Sequence, residues 1–239
     1  MPELNIKVDY IAGKPNTPPQ LTLTKTKSDT RQVDKVVIKP SRNWVHANTL
    51  DVFSYADVNR GSNETVKHKP DYQQIGKQQF SLDGISKSGL DVVLNGDINV
   101  EIKNLQTGEE GRISITEGVE GKQSVALLES TTPKLLVTLG AGDDRFYFEN
   151  TSKHVVPYGM EGDKFDYQIN MGSGNDQVFI GAINAPSSKY IKPVIDGGTG
   201  DDYLSFISGT LNPAREAAQL ILKNFETINL NPNHSSFFF

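Results

Sequence analysis

Three short stretches of this chain set carboxylates beside paired glycines. They read Gly140-Ala141-Gly142-Asp143-Asp144, Gly172-Ser173-Gly174-Asn175-Asp176 and Gly198-Thr199-Gly200-Asp201-Asp202. All three follow GxGxD and run on, two residues later, into an apolar residue (Phe146, Val178, Leu204) that begins a strand-like segment. Glycine tolerates positive φ, so each copy can turn tightly and bring its carbonyl oxygens inward beside the carboxylate. Carboxylate and carbonyl oxygens together are the hard donors that Ca²⁺ collects, about six to eight at a time. Asp143, Asn175 and Asp201 sit beside the turns and Asp196 just ahead of the third, adding further side-chain oxygens. Acids this dense on neighbouring strands repel one another unless a cation lies between them.

The copies resemble the calcium-binding nonapeptide repeats of RTX proteins, GGxGxDxUx with U apolar, which build β-helices. Only Gly197-Gly198 keeps the leading double glycine, Leu139 and Met171 standing in its place in the other copies. The copies are also not in tandem, since Asp144 and Asp176 are 32 residues apart and Asp176 and Asp202 are 26 apart. One motif therefore decorates each longer coil of a solenoid, with the copies stacked along one edge. The resemblance implies about two Ca²⁺ ions, one in each gap between three stacked turns. Their ligands would come from Gly140, Gly142, Asp143, Asp144, Gly172, Gly174, Asn175, Asp176, Asp196, Gly198, Gly200, Asp201 and Asp202. It further implies an extracellular, cell-surface or virion-surface location reached by type I export with a C-terminal signal. Metal-free glycine–aspartate turns are the plain alternative.

The elements that must position these turns are strands. Leu4, Ile6, Val8 and Tyr10 alternate as a half-buried strand does, and residues 21–26 and 33–38 read as two more. Between Phe80 and Leu128, short apolar runs (90–94, 98–102, 113–115, 125–128) are separated by turns at 95–97, 108–111 and 118–121. The same cadence enters the motif region, where Val137, Ile169 and Ile195 form an inward ladder and Thr138, Asn170 and Asp196 an outward one. The expected fold is all-β. A right-handed parallel β-helix or β-solenoid with calcium-binding turns in its C-terminal half spans 79–239, and a smaller β region with a polar loop at 59–71 spans 1–78. One short helix is expected near the C-terminus over 212–220, where Asn212 caps, Pro213 opens and Glu216 lies in the first turn. With the strand at 224–230 it would cover the open end of the solenoid.

Composition narrows the function. Residues 1–70 carry 11 Lys+Arg against 7 Asp+Glu and residues 71–239 carry 13 against 22, a balance of +4 and -9. An acidic C-terminal part suits cations and excludes a nucleic-acid partner. There are no cysteines, so no disulfide framework and no thiolate zinc site. No N-terminal signal peptide and no transmembrane run are visible. The histidines His46, His68, His154 and His234 are scattered, and no nucleophile elbow or phosphate loop occurs. The expected function is a calcium-stabilised, non-enzymatic structural, adhesion or assembly protein, with Phe237, Phe238 and Phe239 as a tail able to dock on a partner subunit or promote self-assembly. The rival is a carbohydrate-active module, a lyase- or epimerase-like enzyme or a glycan binder. Its candidates are the aromatic segment with Trp44, Phe53 and Tyr55, and the cations Arg145, Lys164 and Lys192 near the motifs.

Overall fold

The computed structural model describes residues 5–27, 32–43, 46–58, 72–150, 166–183, 193–207 and 220–230. Trp44, the polar loop at 59–71, Lys164, Lys192, the helix expected over 212–220 apart from Leu220, and the Phe237–Phe239 tail lie outside them.

The described chain is nearly all β, in two sheets of mostly parallel strands. One sheet holds, in spatial order, β1 (Ile6–Ile11), β2 (Gln20–Lys25), β6 (Gly89–Asn95), β8 (Arg112–Val119), β10 (Lys134–Thr138), β12 (Asp166–Asn170), β14 (Val194–Asp196) and β16 (Ile221–Lys223). The other holds β17 (Thr227–Asn229), β15 (Tyr203–Phe206), β13 (Gln177–Ile183), β11 (Arg145–Asn150), β9 (Gln123–Leu128), β7 (Ile98–Lys103), β3 (Gln32–Pro40), β4 (Thr49–Val58) and β5 (Tyr72–Ser81). Among the described strands, antiparallel pairing joins β1 with β2, β3 with β4 and β4 with β5. From β6 onward, successive strands fall in opposite sheets, so each short turn from the first sheet to the second closes an arch.

In-register apolar ladders explain why the arches stack. Leu21, Val92, Ile115, Val137, Ile169, Ile195 and Leu222 are successive Cα partners across the first sheet. Val36, Val100, Val125, Phe146, Val178, Leu204 and Ile228 do the same across the second. Most of these side chains are fully buried in one core between the sheets. Each such rung contributes about 2 kcal/mol of apolar burial, and slipping one strand by a residue would turn its apolar set outward. The ladder expected at Val137, Ile169 and Ile195 is thus part of a longer one. Strands on the two sides of residue 78 hydrogen-bond directly, β2 with β6 and β3 with β7.

Two elements carry weak sequence signals. Strand β5, with Gln73, Gln74, Gln78 and Gln79 among its residues, is a sheet edge with little apolar alternation. The helix among the described residues is α1 (Asp83–Ser88), a single turn and a half that buries Ile85 and ends where Gly89 takes φ 97. Leu82 makes no side-chain cap, so the usual N-terminal signature is missing. Among the described residues no helix is long and apolar enough to cross a membrane.

Candidate metal centre on the stacked turns

The turns 139–144, 171–176 and 197–202 lie one above another and are tied by backbone bonds. Gly142 N–H donates to Ser173 O at 2.9 Å and Ser173 N–H to Gly140 O at 2.7 Å. One turn further on, Gly174 N–H donates to Thr199 O at 2.9 Å and Thr199 N–H to Gly172 O at 3.0 Å. Such close stacking dictates glycine twice over. Gly174 and Gly200 have φ 134 and 143, and a Cβ would sit 1.9 Å from Gly142 O or 1.7 Å from Gly174 O.

On the inner side of these turns runs a column with one side chain per arch: Ile98, Gln123, Asp144, Asp176, Asp202 and Glu226. Ile98 and Gln123 are strand partners. The remainder is linked by one repeated bond, in which a backbone N–H donates to the side chain on the next arch. Gln123 N–H meets Asp144 Oδ1, Asp144 N–H meets Asp176 Oδ1 and Asp176 N–H meets Asp202 Oδ1, each at 2.8 Å. Asp202 N–H meets Glu226 Oε2 at 2.7 Å.

Each aspartate thereby uses one oxygen and leaves the other without a partner. Asp144 and Asp176 are 0 % exposed and Asp202 1 %, yet among the described residues Asp144 Oδ2, Asp176 Oδ2 and Asp202 Oδ2 receive no hydrogen bond, and neither does Gln123 Oε1. Burial, partly offset by the backbone N–H bonds and reinforced by neighbouring carboxylates, pushes the Asp144 carboxyl up to about 6 and that of Asp176 up to about 7. Asp202 is raised for the same leading reason, with Glu226, Asp201 and Asp196 adding to it. A buried acceptor without a donor costs about 1 to 3 kcal/mol, and more when charged. Three such oxygens in one row are a cost that the apolar ladders do not explain.

The other expected ligands are placed differently. Asp143, Asn175 and Asp201 form an exposed outer column running the opposite way, with Asn175 N–H donating to Asp143 Oδ1 and Asp201 N–H to Asn175 Oδ1, both at 3.0 Å. Asp196 Oδ1 accepts from Gly198 N–H at 3.2 Å and Asn224 Nδ2 at 2.7 Å, bracing the third turn from outside the buried row. The carbonyls of Gly140 and Gly172 bond the next turn, each keeping a second lone pair.

A hard cation fits this donor set. The unpartnered atoms are dry oxygens, three of carboxyl groups and one of an amide, on successive strands whose usual spacing of about 4.8 Å is roughly twice a Ca²⁺–oxygen distance. Among the described residues no three His, Cys, Asp or Glu side chains converge on one point. The acids are dealt one per arch, so an ion between arches would take two carboxylates and complete its shell from carbonyls or water.

Three polar residues at or beside the row lie outside the GxGxD motifs: Gln123 and Glu226 within it, and Glu117 in the neighbouring column. Register alone finds them. Leu94 pairs with Glu117, and Thr116 pairs with Thr138, which puts Glu117 level with Leu139 at the first position of the motif. Of the carbohydrate-enzyme candidates, Arg145 is exposed at the start of β11. Comparison with known proteins finds no family model, no curated protein and no solved structure that matches this chain.

Proposed function

We propose that the chain is a calcium-stabilised β-solenoid of the RTX-like type, in which each arch belongs to one coil, working as a non-enzymatic surface, adhesion or assembly component outside the cell. The single observation behind this reading is the row of buried carboxylates with one unpartnered oxygen each. Asp144 and Asp176 would hold one ion and Asp176 and Asp202 a second, with glycine carbonyls of the turns within the same gaps. Bound Ca²⁺ supplies positive charge and satisfies oxygens that the protein leaves bare. The protein's part is to fix the oxygens, exclude water and keep the turns glycine-thin. Without disulfides, such ions would be the available staple for a fold outside the cell.

A titration tests it. Ca²⁺ is added to chelator-stripped protein and heat and circular dichroism are followed, in wild type and in Asp176→Ala. Binding of about two ions or more with a gain of strand signal, and loss of both Asp176-bordered ions in the variant, is expected. No heat and an unchanged spectrum would refute the reading.

A carbohydrate-active module is the second reading, and one feature favours it. On the outer face of β3, β4 and β5 the half-buried Phe53 ring is met by Lys39 Nζ at 5.4 Å and Lys77 Nζ at 5.0 Å. Lysines grouped around an aromatic ring suit a carboxylated sugar chain. Incubation with uronate-containing polysaccharide tests it, with unsaturated product or retention on the polymer as the supporting result.

A further inference from the structure

The orphaned oxygens do not begin at the first GxGxD turn. They begin one arch earlier, at Gln123, which the motif does not cover. Gln123 is 0 % exposed. Its Nε2 donates to Gly96 O of the preceding arch at 3.3 Å and to Glu117 Oε1 at 3.0 Å. Both partners are acceptors, which assigns the amide nitrogen and leaves Oε1 without a donor among the described residues. The next member of the column, Asp144, carries the next bare oxygen.

Glu117 supplies what Gln123 lacks. In the column where later arches carry Leu139, Met171 and Gly197, this arch carries a carboxylate. It reaches forward: Oε1 accepts from Gly121 N–H at 2.8 Å, while Oε2 accepts from Ala141 N–H of the following turn at 3.2 Å. A Cβ on Gly140 would lie 1.5 Å from Glu117 Oε2, so the first glycine of the first motif is required by this carboxylate rather than by a carbonyl of the preceding turn. Asp144 in turn feels Glu117 as a neighbouring negative charge. The motif's aspartate has become an amide, and a carboxylate has entered from a different position of the same arch.

The geometry points to a third cation site, one gap before the motif, between the arch of Gln123 and the arch of Asp144, held by Glu117, the Gln123 side-chain carbonyl and Asp144 Oδ2. It takes a hard divalent cation, Ca²⁺ by the all-oxygen donor set. Four bare oxygens in register leave three gaps, not two. This site rests on the calcium reading above, and it is the weakest of the three. One donor is a neutral amide, and the exposed Lys122 at the same turn already lends Asp144 some positive charge.

Native mass spectrometry of the full chain, titrated with Ca²⁺ after chelator treatment, counts the ions. Wild type is expected to hold three, Glu117→Gln two and Asp176→Asn one, the last having lost both gaps that Asp176 borders. Gln123→Asp, which restores the motif residue, is expected to keep three and to tighten the last-filled site by at least tenfold, a check that does not need the Glu117 variant to fold. Two ions in wild type, unchanged by Glu117→Gln, would overturn the third site and leave the two-gap reading standing. Three ions that survive Glu117→Gln would overturn it as well, and no ion in any form would remove the third site together with the reading beneath it.

Discussion

One edge of this molecule carries two interiors on the same backbone. At the N-terminal end of the inner column stands Ile98, 1 % exposed and part of the apolar core. Three arches later the same place holds Asp176, just as buried, with an oxygen that nothing among the described residues satisfies. The stack therefore accommodates an apolar residue at this position without losing register. The carboxylates are then not demanded by packing, and their presence in three successive arches requires another reason. A cation between arches, as proposed above, would supply that reason.

The largest expected effect separates the two ends by metal. At a Ca²⁺ concentration one hundredfold above Kd, two ions add about 5 kcal/mol to unfolding stability. Chemical denaturation in Ca²⁺ and in chelator measures the difference, which should fall by about that amount when Asp176, which borders both gaps, is removed and persist when Ile98→Val is introduced.

Proton binding sharpens the same contrast. In the metal-free protein the folded carboxyls of Asp144 and Asp176 lie at about 6 and about 7, above the ordinary value of 3.8. The folded state then holds these protons more tightly than the unfolded one, so their contribution is complete below about pH 4 and is lost as pH rises through 6 to 7. The loss is about 3 kcal/mol for Asp144 and about 4 kcal/mol for Asp176. Unfolding in chelator at pH 4.5 and pH 7.5 should show it, and Ca²⁺ should reverse the trend. A metal-free protein most stable at pH 7.5 would break the comparison.

Two glycines make a smaller test. Gly174→Ala places a Cβ 1.9 Å from Gly142 O at φ 134 and should cost about 3 kcal/mol. Gly84→Ala, inside α1 with its nearest neighbour at an ordinary 3.7 Å, should stabilise by about 0.5 to 1 kcal/mol. Thermal unfolding of both variants reads the difference. The smallest effect belongs to the exposed outer column. Asp143→Asn keeps the acceptor that Asn175 N–H uses, as Asn175 itself does for Asp201, and should change stability by less than about 0.5 kcal/mol.

Much of the edge was legible in the sequence because glycine spacing and carboxylate spacing travel together. GxGxD marked the turns, and the alternation around Val137, Ile169 and Ile195 marked the strands that carry them. The sequence does not distinguish Asp144 from Asp143 by burial, since both are acids in one turn. The structure does, setting Asp144 inward and Asp143 in solvent. Glu117 and Gln123 were hidden for a different reason. Residues 117–123 hold one residue more than 139–144, with a register shift between Leu94 and Asn95. No fixed-spacing motif can align them, and only strand pairing brings Glu117 level with Leu139. Strand β5 escaped because an edge strand needs no apolar face, and α1 because a six-residue helix with one buried side chain leaves no period to read.

The most direct test of the central claim is the unfolding free energy of wild type and Asp176→Asn at pH 7.5, each in chelator and in saturating Ca²⁺. Asparagine keeps the oxygen that accepts Asp144 N–H and removes the buried charge. The expected result is a crossing, with the variant more stable than wild type in chelator and less stable in Ca²⁺. A variant that is less stable by the same amount in both conditions would contradict the claim, because the carboxylate would then serve the fold and not an ion.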